Sequence, residues 1–313
     1  MPTYKEIKGT NIQSFSSDPS NPVNGQVWYN TVSKLLKAAE LSTTGSWATG
    51  GNLGTTHYAG AGANQGTQTA ALYFGGTPGA TEEYDGSSWT GGGNMGSGRT
   101  KLMGAGTQTA GLAIGGQPGS QVATEEYNGT AWTAGGNLGN SRYAGGAAGT
   151  QTAGLVFGGV NPTSEALTEE YNGTAWTAGG NLNAVVNSNA GAGTQTAGLN
   201  MKGSPVNGQT EEYDGSTWTA GGNMNTARQQ LGGSGSQTAG IAYGGFPQRA
   251  ETELYDGSSW TNSTNMNTGR RLLGSGGTQT AGIAVGGSVH VTLTTETEEF
   301  TGPGITFKTI TAS

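Results

Sequence analysis

Residues 99–138 read RTKLMGAGTQTAGLAIGGQPGSQVATEEYNGTAWTAGGNL. Four strand-like pieces lie in this stretch. The first is rich in Gly and Ala. A tight turn at Thr-Gln separates it from TAGLAIGG, which ends in a glycine pair able to take positive φ. A loop follows, then TEEY. An Asn-Gly pair, read as a two-residue hairpin turn, leads to a short strand containing Trp132. No apolar pattern of helical period appears.

The same order recurs along the chain. TQT or SQT begins at residues 67, 107, 150, 194, 236 and 278. Trp recurs at 47, 89, 132, 176, 218 and 260. TEEY or a variant ends at Tyr84, Tyr127, Tyr171, Tyr213, Tyr255 and Phe300. Glycine, 61 of 313 residues, brings Pro plus Gly to roughly 22%, near the level of disordered chains. A register that keeps Trp in place six times excludes that reading and makes the glycine architectural.

Six four-stranded antiparallel units predict an all-β chain, a six-bladed β-propeller. The small first strand suits the crowded axis. Tyr84, Trp89, Trp132, Trp176, Trp218 and Trp260 suit the outer strands, where blades splay and aromatic rings bury large areas. Leu53, Met95, Leu138, Leu182, Met224 and Met266, each after Gly-Gly-Asn or its equivalent, are expected to fill between blades. The last unit has TEEF at 297–300 but no Trp strand after it, and Trp47 has no TQTAG before it. The segment around Trp47 is therefore expected to supply the outer strand of the last blade, closing the ring without a free edge. The expected division is an arm over 1–38, a propeller over 39–303 and a tail over 304–313.

A glycine pair, then Glu-x-Tyr-Asp, then Trp, Met and Arg, as in GGTPGATEEYDGSSWTGGGNMGSGR at 75–99, resembles the kelch repeat. WD40 signatures are absent. The resemblance implies a propeller and no particular function. Galactose oxidase shares that fold but relies on a Cys-Tyr cross-link, and this chain has no Cys. The sialidase box requires Asp five residues before Trp; in YDGSSW that position is Tyr84.

Several function classes fall away on composition. Charged residues make up 11%, the net charge is −7, and 13 Lys and Arg offer no clustered surface for nucleic acid. No apolar run is long enough to span a bilayer. The start, MPTYKEIKGTN, is polar and shows no signal-peptide core. Without Cys, and with His57 and His290 alone in their surroundings, no metal site or other cofactor site is expected. The first Glu of each TEEY (Glu82, Glu125, Glu169, Glu211, Glu253, Glu298) recurs in all six units, so it reads as a structural acid for the repeat arginines. Those are Arg99, Arg142, Arg228 and Arg270, with His57 and Asn187 at the matching positions. No catalytic set is discernible, and no enzyme is expected. The Gln of each TQT reads as a turn residue, with an axial ligand ring as the alternative.

The units differ in the loop after the glycine pair: TPGA, QPGSQVA, VNPTSEAL, SPVNGQ, FPQRAE and SVHVTLTTE. Loops of changing chemistry on a rigid frame commonly carry recognition, and drift without function is the alternative. Phe246, Gln248, Arg249 and His290 are the candidate binding residues. In the fourth unit NMKG at 200–203 replaces the apolar-Gly-Gly ending, as a specialisation or as decay.

In the arm, NPVNGQVWYN at 21–30 followed by KLLKA reads as a hairpin. Its pattern P-x-x-G-Q-x-W-Y-N resembles segments of tailed-phage structural proteins, and the near-duplicate Gly/Thr/Asn-rich blades resemble kelch-like virion proteins of marine phages. That resemblance implies a virion protein assembled in the host cytoplasm, a tail fibre or capsid appendage. The arm, with Trp28 and Tyr29, would attach to other virion proteins. The propeller would face a host glycan or outer-membrane protein, without membrane insertion. A homo-oligomer stays open. The alternatives are a carbohydrate-binding or carbohydrate-active propeller of a cell and a cellular kelch adaptor.

Overall fold

The computed structural model describes residues 12–42, 44–77, 79–119 and 121–310. The first eleven residues of the expected arm and the last three of the expected tail lie outside them. The chain forms two units, one of Met1–Gly45 with Pro303–Ser313 and one of Ser46–Gly302.

The larger unit is a six-bladed β-propeller whose blades are four-stranded antiparallel sheets. Blade two consists of Met103–Thr107, Ala110–Ile114, Thr124–Tyr127 and Trp132–Ala134, in that order from the axis outward. Blades one, three, four and five repeat it, beginning at Ala61, Gly146, Ala190 and Gly232. Blade six takes three strands from Gly274–Thr278, Ala281–Val285 and Thr297–Thr301, and its outer strand is Ser46–Thr49. Trp47 pairs there with Phe300, so the ring closes as the repeat count requires. The inner strands touch in succession all round the axis. Small residues are needed there: a Cβ on Gly191 would come within 2.2 Å of Ala147 O in the next inner strand.

The Asn-Gly or Asp-Gly hairpin loop has four residues, 85–88 in blade one, so it is two longer than expected, both on the C-terminal side. In blade one the centre is Gly86-Ser87, bracketed by Asp85 N–H donating to Ser88 O at 3.2 Å. The Asp85 carboxylate accepts the Ser88 and Ser87 N–H groups and both hydroxyls, which hold its pKa down to about 2.

Each blade is stitched to the one before it by the letters of the repeat. Trp132 Nε1–H donates to Thr81 Oγ1 at 2.8 Å, and the other five Trp do the same. Tyr127 OH donates to Glu83 Oε1 at 2.6 Å, and Tyr84, Tyr171, Tyr213 and Tyr255 make the matching bond. Burial and that carboxylate push the Tyr127 hydroxyl up to about 12. Gln108 Nε2 donates to Ala71 O and Tyr84 O of blade one. All six TQT or SQT glutamines reach back in this way, so the turn role holds and no ring of free amides is left. Between these bonds lie the apolar layers. Ile114 and Leu112 of blade two meet Val156 and Tyr171 of blade three, with Leu138 filling the gap.

The repeat arginine clamps the segment that enters its blade. Arg142 Nη1 donates to Gly158 O and Leu167 O, and Nη2 to Glu169 Oε1 at 2.6 Å. Glu169 also accepts the Gly139 and Asn140 N–H groups. Both side chains are buried. Arg99, Arg228 and Arg270 repeat the pair with Glu125, Glu253 and Glu298. His57 substitutes in blade one, with Nε2 at 3.0 Å from Glu82 Oε1 and Nδ1 at 3.0 Å from Gly75 O.

The smaller unit corrects the expected boundaries. The hairpin is present as Val27–Asn30 and Leu35–Ser42, but the second strand runs past residue 38. The described part of the expected tail is a strand: Gly304–Thr309 pairs antiparallel along Leu35–Ser42 and covers its edge. Gln13–Phe15 lies parallel on the other side. Asp18 ties the sheet together, accepting from Trp28 Nε1, Asn30 Nδ2 and Lys37 Nζ.

Two outcomes follow. A chain beginning at residue 51 lacks the outer strand of blade six and Trp47, so urea melts should show marked destabilisation and aggregation; a melt like that of the full chain would refute the closure. Arg142→Met strands the Glu169 carboxylate and should cost about 3–5 kcal/mol in the same assay; a cost below about 1 kcal/mol, the scale of a surface pair, would show that the clamp is dispensable.

Candidate functional site

The polar residues of the repeat are consumed inside the ring, so a site has to be sought where the blades differ. The loops after the glycine pairs and the segments entering each blade share one face. Bridges such as Thr100 with Gln117 and Arg271 with Ser288 tie them together.

At the centre of this face stands a feature that sequence reading missed. Ala59, Lys101, Ala144, Ser188, Gln230 and Leu272, one per blade, have φ between 51° and 58°. A non-glycine residue in that region costs roughly 1–2 kcal/mol. The return is a crown of bonds between blades: Lys101 N–H donates to Ala59 O, Ala144 to Lys101, Ser188 to Ala144, Gln230 to Ser188 and Leu272 to Gln230, at 2.6–3.0 Å.

Beneath the crown the axis is nearly filled. A cavity of about 110 Å³ lies among Leu102, Asn189, Leu231 and Leu273. A second cavity of about 100 Å³ shares those four residues and lies against the inner strands at Gly62, Gly104 and Gly191. Blade one has two extra residues in its inner hairpin, and they stopper the axis. Asn64 Nδ2 reaches across to Ala147 O at 2.6 Å, and Gln65 Nε2 reaches Gly193 O at 2.9 Å. The signal was visible in ANQGTQT, where the other units read AGTQT or a near variant without the insertion.

Away from the axis, the loops of blades five and six come together. Phe246 is exposed, and the Arg271 guanidinium lies over its ring, 5.0 Å from the centroid. Arg271 is also paired through its backbone with Ser288, at the base of a small hairpin, Ser288–Val289 with Thr292–Leu293. His290 sits at its tip beside Val291, which is 93% exposed. Arg249 pairs with Glu251 at 3.1 Å. Phe246 and His290 therefore stand on neighbouring loops joined by Arg271. Arg249 flanks them, and Gln248 is half-buried in the same loop. Arg271 was not among the residues expected. The doubled arginine GRR at 269–271, found in one unit alone, was its signal.

In the smaller unit the two expected contact residues part company. Trp28 is fully buried, so its ring offers no surface to a partner, whereas Tyr29 is exposed. Their alternation along one strand is the reason, since successive side chains point to opposite faces.

Among the described residues no group of three or more His, Asp or Glu side chains is placed to hold a metal ion. No described helix is long and apolar enough to cross a membrane.

No protein-family model matches the chain, and no curated protein matches it. Solved structures do. One described as "Structure of YjhT" superimposes with a TM-score of 0.66 at 13% identity, covering 82% of this chain and 99% of that one. Likeness at this identity concerns the fold, and it supports the β-propeller.

Proposed function

We propose that this chain is a structural protein of a tailed-phage virion, a fibre or appendage, whose kelch-like propeller displays a recognition face. The N-terminal unit is the attachment element, with Tyr29 available for a virion partner. The propeller is the binding element, and its ligand is a component of the host surface, a glycan or an outer-membrane protein.

The observation that carries the recognition reading is the Phe246–Arg271 stack, which joins the variable loop of blade five to the segment entering blade six. An exposed aromatic ring backed by a guanidinium, with Arg249 and His290 beside it, suits a ligand with an apolar face and acidic or hydroxyl groups. The repeat carboxylates support a non-catalytic role. Glu125, Glu169, Glu253 and Glu298 are each held by an arginine and by backbone N–H groups, leaving them committed to the frame. The attachment reading rests on the P-x-x-G-Q-x-W-Y-N pattern of residues 22–30.

Labelled full-length protein should bind cells of its host. Replacing 246–251 by the short TPGA loop of blade one should lower binding at least about tenfold, the scale of one interface anchor, with the melting temperature unchanged. Arg271→Ala should weaken it less. Binding indifferent to both changes would refute the patch, and a chain missing from purified virions by mass spectrometry would refute the virion assignment.

A further inference from the structure

Blade four departs from its own repeat beside its variable loop. The first glycine of the pair has positive φ in the other five blades, as at Gly115 and Gly158. Here it is Lys202, whose backbone does not take that conformation. Its N–H donates to Gln209 O at 3.1 Å, one step beyond the Met201 and Thr210 pair, so Lys202 and Gln209 face each other across two strands. Lys202 is 1% exposed, and its Nζ donates to Gln209 Oε1 at 2.9 Å. Asn207 Nδ2 donates to the same Oε1 at 3.0 Å, while Asn207 Oδ1 accepts the Gln209 N–H at 3.2 Å. The amide carbonyl of Gln209 is thus polarised by two donors. Its residue is exposed, and its Nε2 donates to none of the described residues.

A carboxylate stands on the same face. Glu211 is two residues beyond Gln209 on its strand and is 3% exposed. One of its oxygens accepts the backbone and side-chain N–H groups of Asn183. The other, Oε1, has no hydrogen-bond partner. In blades two, three, five and six that atom accepts a guanidinium Nη2, but blade four has Asn187 in the arginine column. Lys202 lies diagonally across the strand pair from Glu211, a spacing that a long side chain spans. Both residues line one pocket with Gln209 and Trp218. A buried ammonium and a buried carboxylate, each met only by neutral groups, are costly, and passing a proton from one to the other removes both charges.

We propose that Lys202 and Gln209 join each other in an intramolecular isopeptide bond, with no external ligand or enzyme. The Lys202 side chain swings to give one proton to Glu211 Oε1, and the neutral amine attacks Gln209 Cδ. That carbon lies one C=O bond, about 1.2 Å, beyond the oxygen that Nζ already touches. Asn207 Nδ2 is in place to hold the oxyanion that forms on Oε1. The bond made is Nζ–Cδ, and the bond broken is Cδ–Nε2. The amine passes a second proton to the departing nitrogen, Glu211 returns the first, and ammonium leaves on the exposed side of Gln209. No oxidant or other reactant is consumed. Holding amine and amide in contact supplies the proximity that free side chains lack. The product closes residues 203–208, the variable loop of blade four, into a covalent ring at its base. The cross-link is independent of the loop patch and of the virion assignment.

Intact-mass spectrometry of the purified full chain reads the bond directly, as the loss of one ammonia, about 17 Da. After incubation at mildly alkaline pH the wild type should carry this loss. Tandem spectra of a tryptic digest should place it between Lys202 and Gln209, with no cleavage after residue 202. Lys202→Met and Gln209→Ala should each keep the full mass, with the fold intact by circular dichroism. Asn207→Ala and Glu211→Gln should form the bond at least about tenfold more slowly, the scale of one lost oxyanion donor or proton carrier. Succinimide closure at Asn207-Gly208 also releases one ammonia, and Lys202→Met separates the two reactions. A loss that persists in Lys202→Met would overturn the proposal. So would the full mass in a wild type incubated for several days, or a cross-link from Lys202 to another residue.

Discussion

Every tryptophan of the ring donates its indole N–H to a threonine of the neighbouring blade. The bond is modest, about 1 kcal/mol net. Its importance lies in geometry. A four-stranded sheet this short cannot bury both faces alone, and it needs the next blade at a fixed distance and tilt. Trp to Thr, Tyr to Glu and Gln to two carbonyls fix both. The apolar layer of Leu, Ile and Tyr then fills a space whose width is already set.

This arrangement also explains what the frame is free to do. Inside a blade, the Arg–Glu clamp holds the entering segment, and the crown of left-handed residues ties the segments in series from blade one to blade six. The strained backbone is tolerated because its neighbours on both sides over-determine it. Loop length can then change from one blade to the next without moving the sheets. The patch around Phe246 and Arg271 sits on such loops. Blade four is the converse case, where Asn187 stands in place of the clamp arginine and a buried Lys202 in place of the first glycine of the pair.

Sequence exposed the ring more readily than the sites. The TEEY-to-Trp register revealed blade number, strand order and the closing role of Trp47, because the Trp and Gln bonds recur in all six copies and the Tyr bond in five. The Gly304–Thr309 strand was missed because its partner, Leu35–Ser42, is more than 250 residues away and no repeat frames it. The crown was invisible because Ala, Lys, Ser, Gln and Leu carry no positive-φ signature; the neighbours impose that conformation. Trp28 looked like a contact residue, yet it is buried beside Asp18, a pairing that the spacing of ten residues does not announce. Arg271 could have been found from the unpaired second arginine of GRR, and Asn187 already stood out as the gap in the arginine column.

The central claim is that stitching makes the six blades one cooperative body, with the seam between blades six and one as strong as the rest. Native-state hydrogen exchange tests it directly. The amides of Leu72–Phe74 and Ala281–Val285, which flank the seam, should exchange with the same opening free energy as those of Ala153–Phe157, opposite it. Graded protection, lowest at the seam and rising toward blade three, would contradict the account.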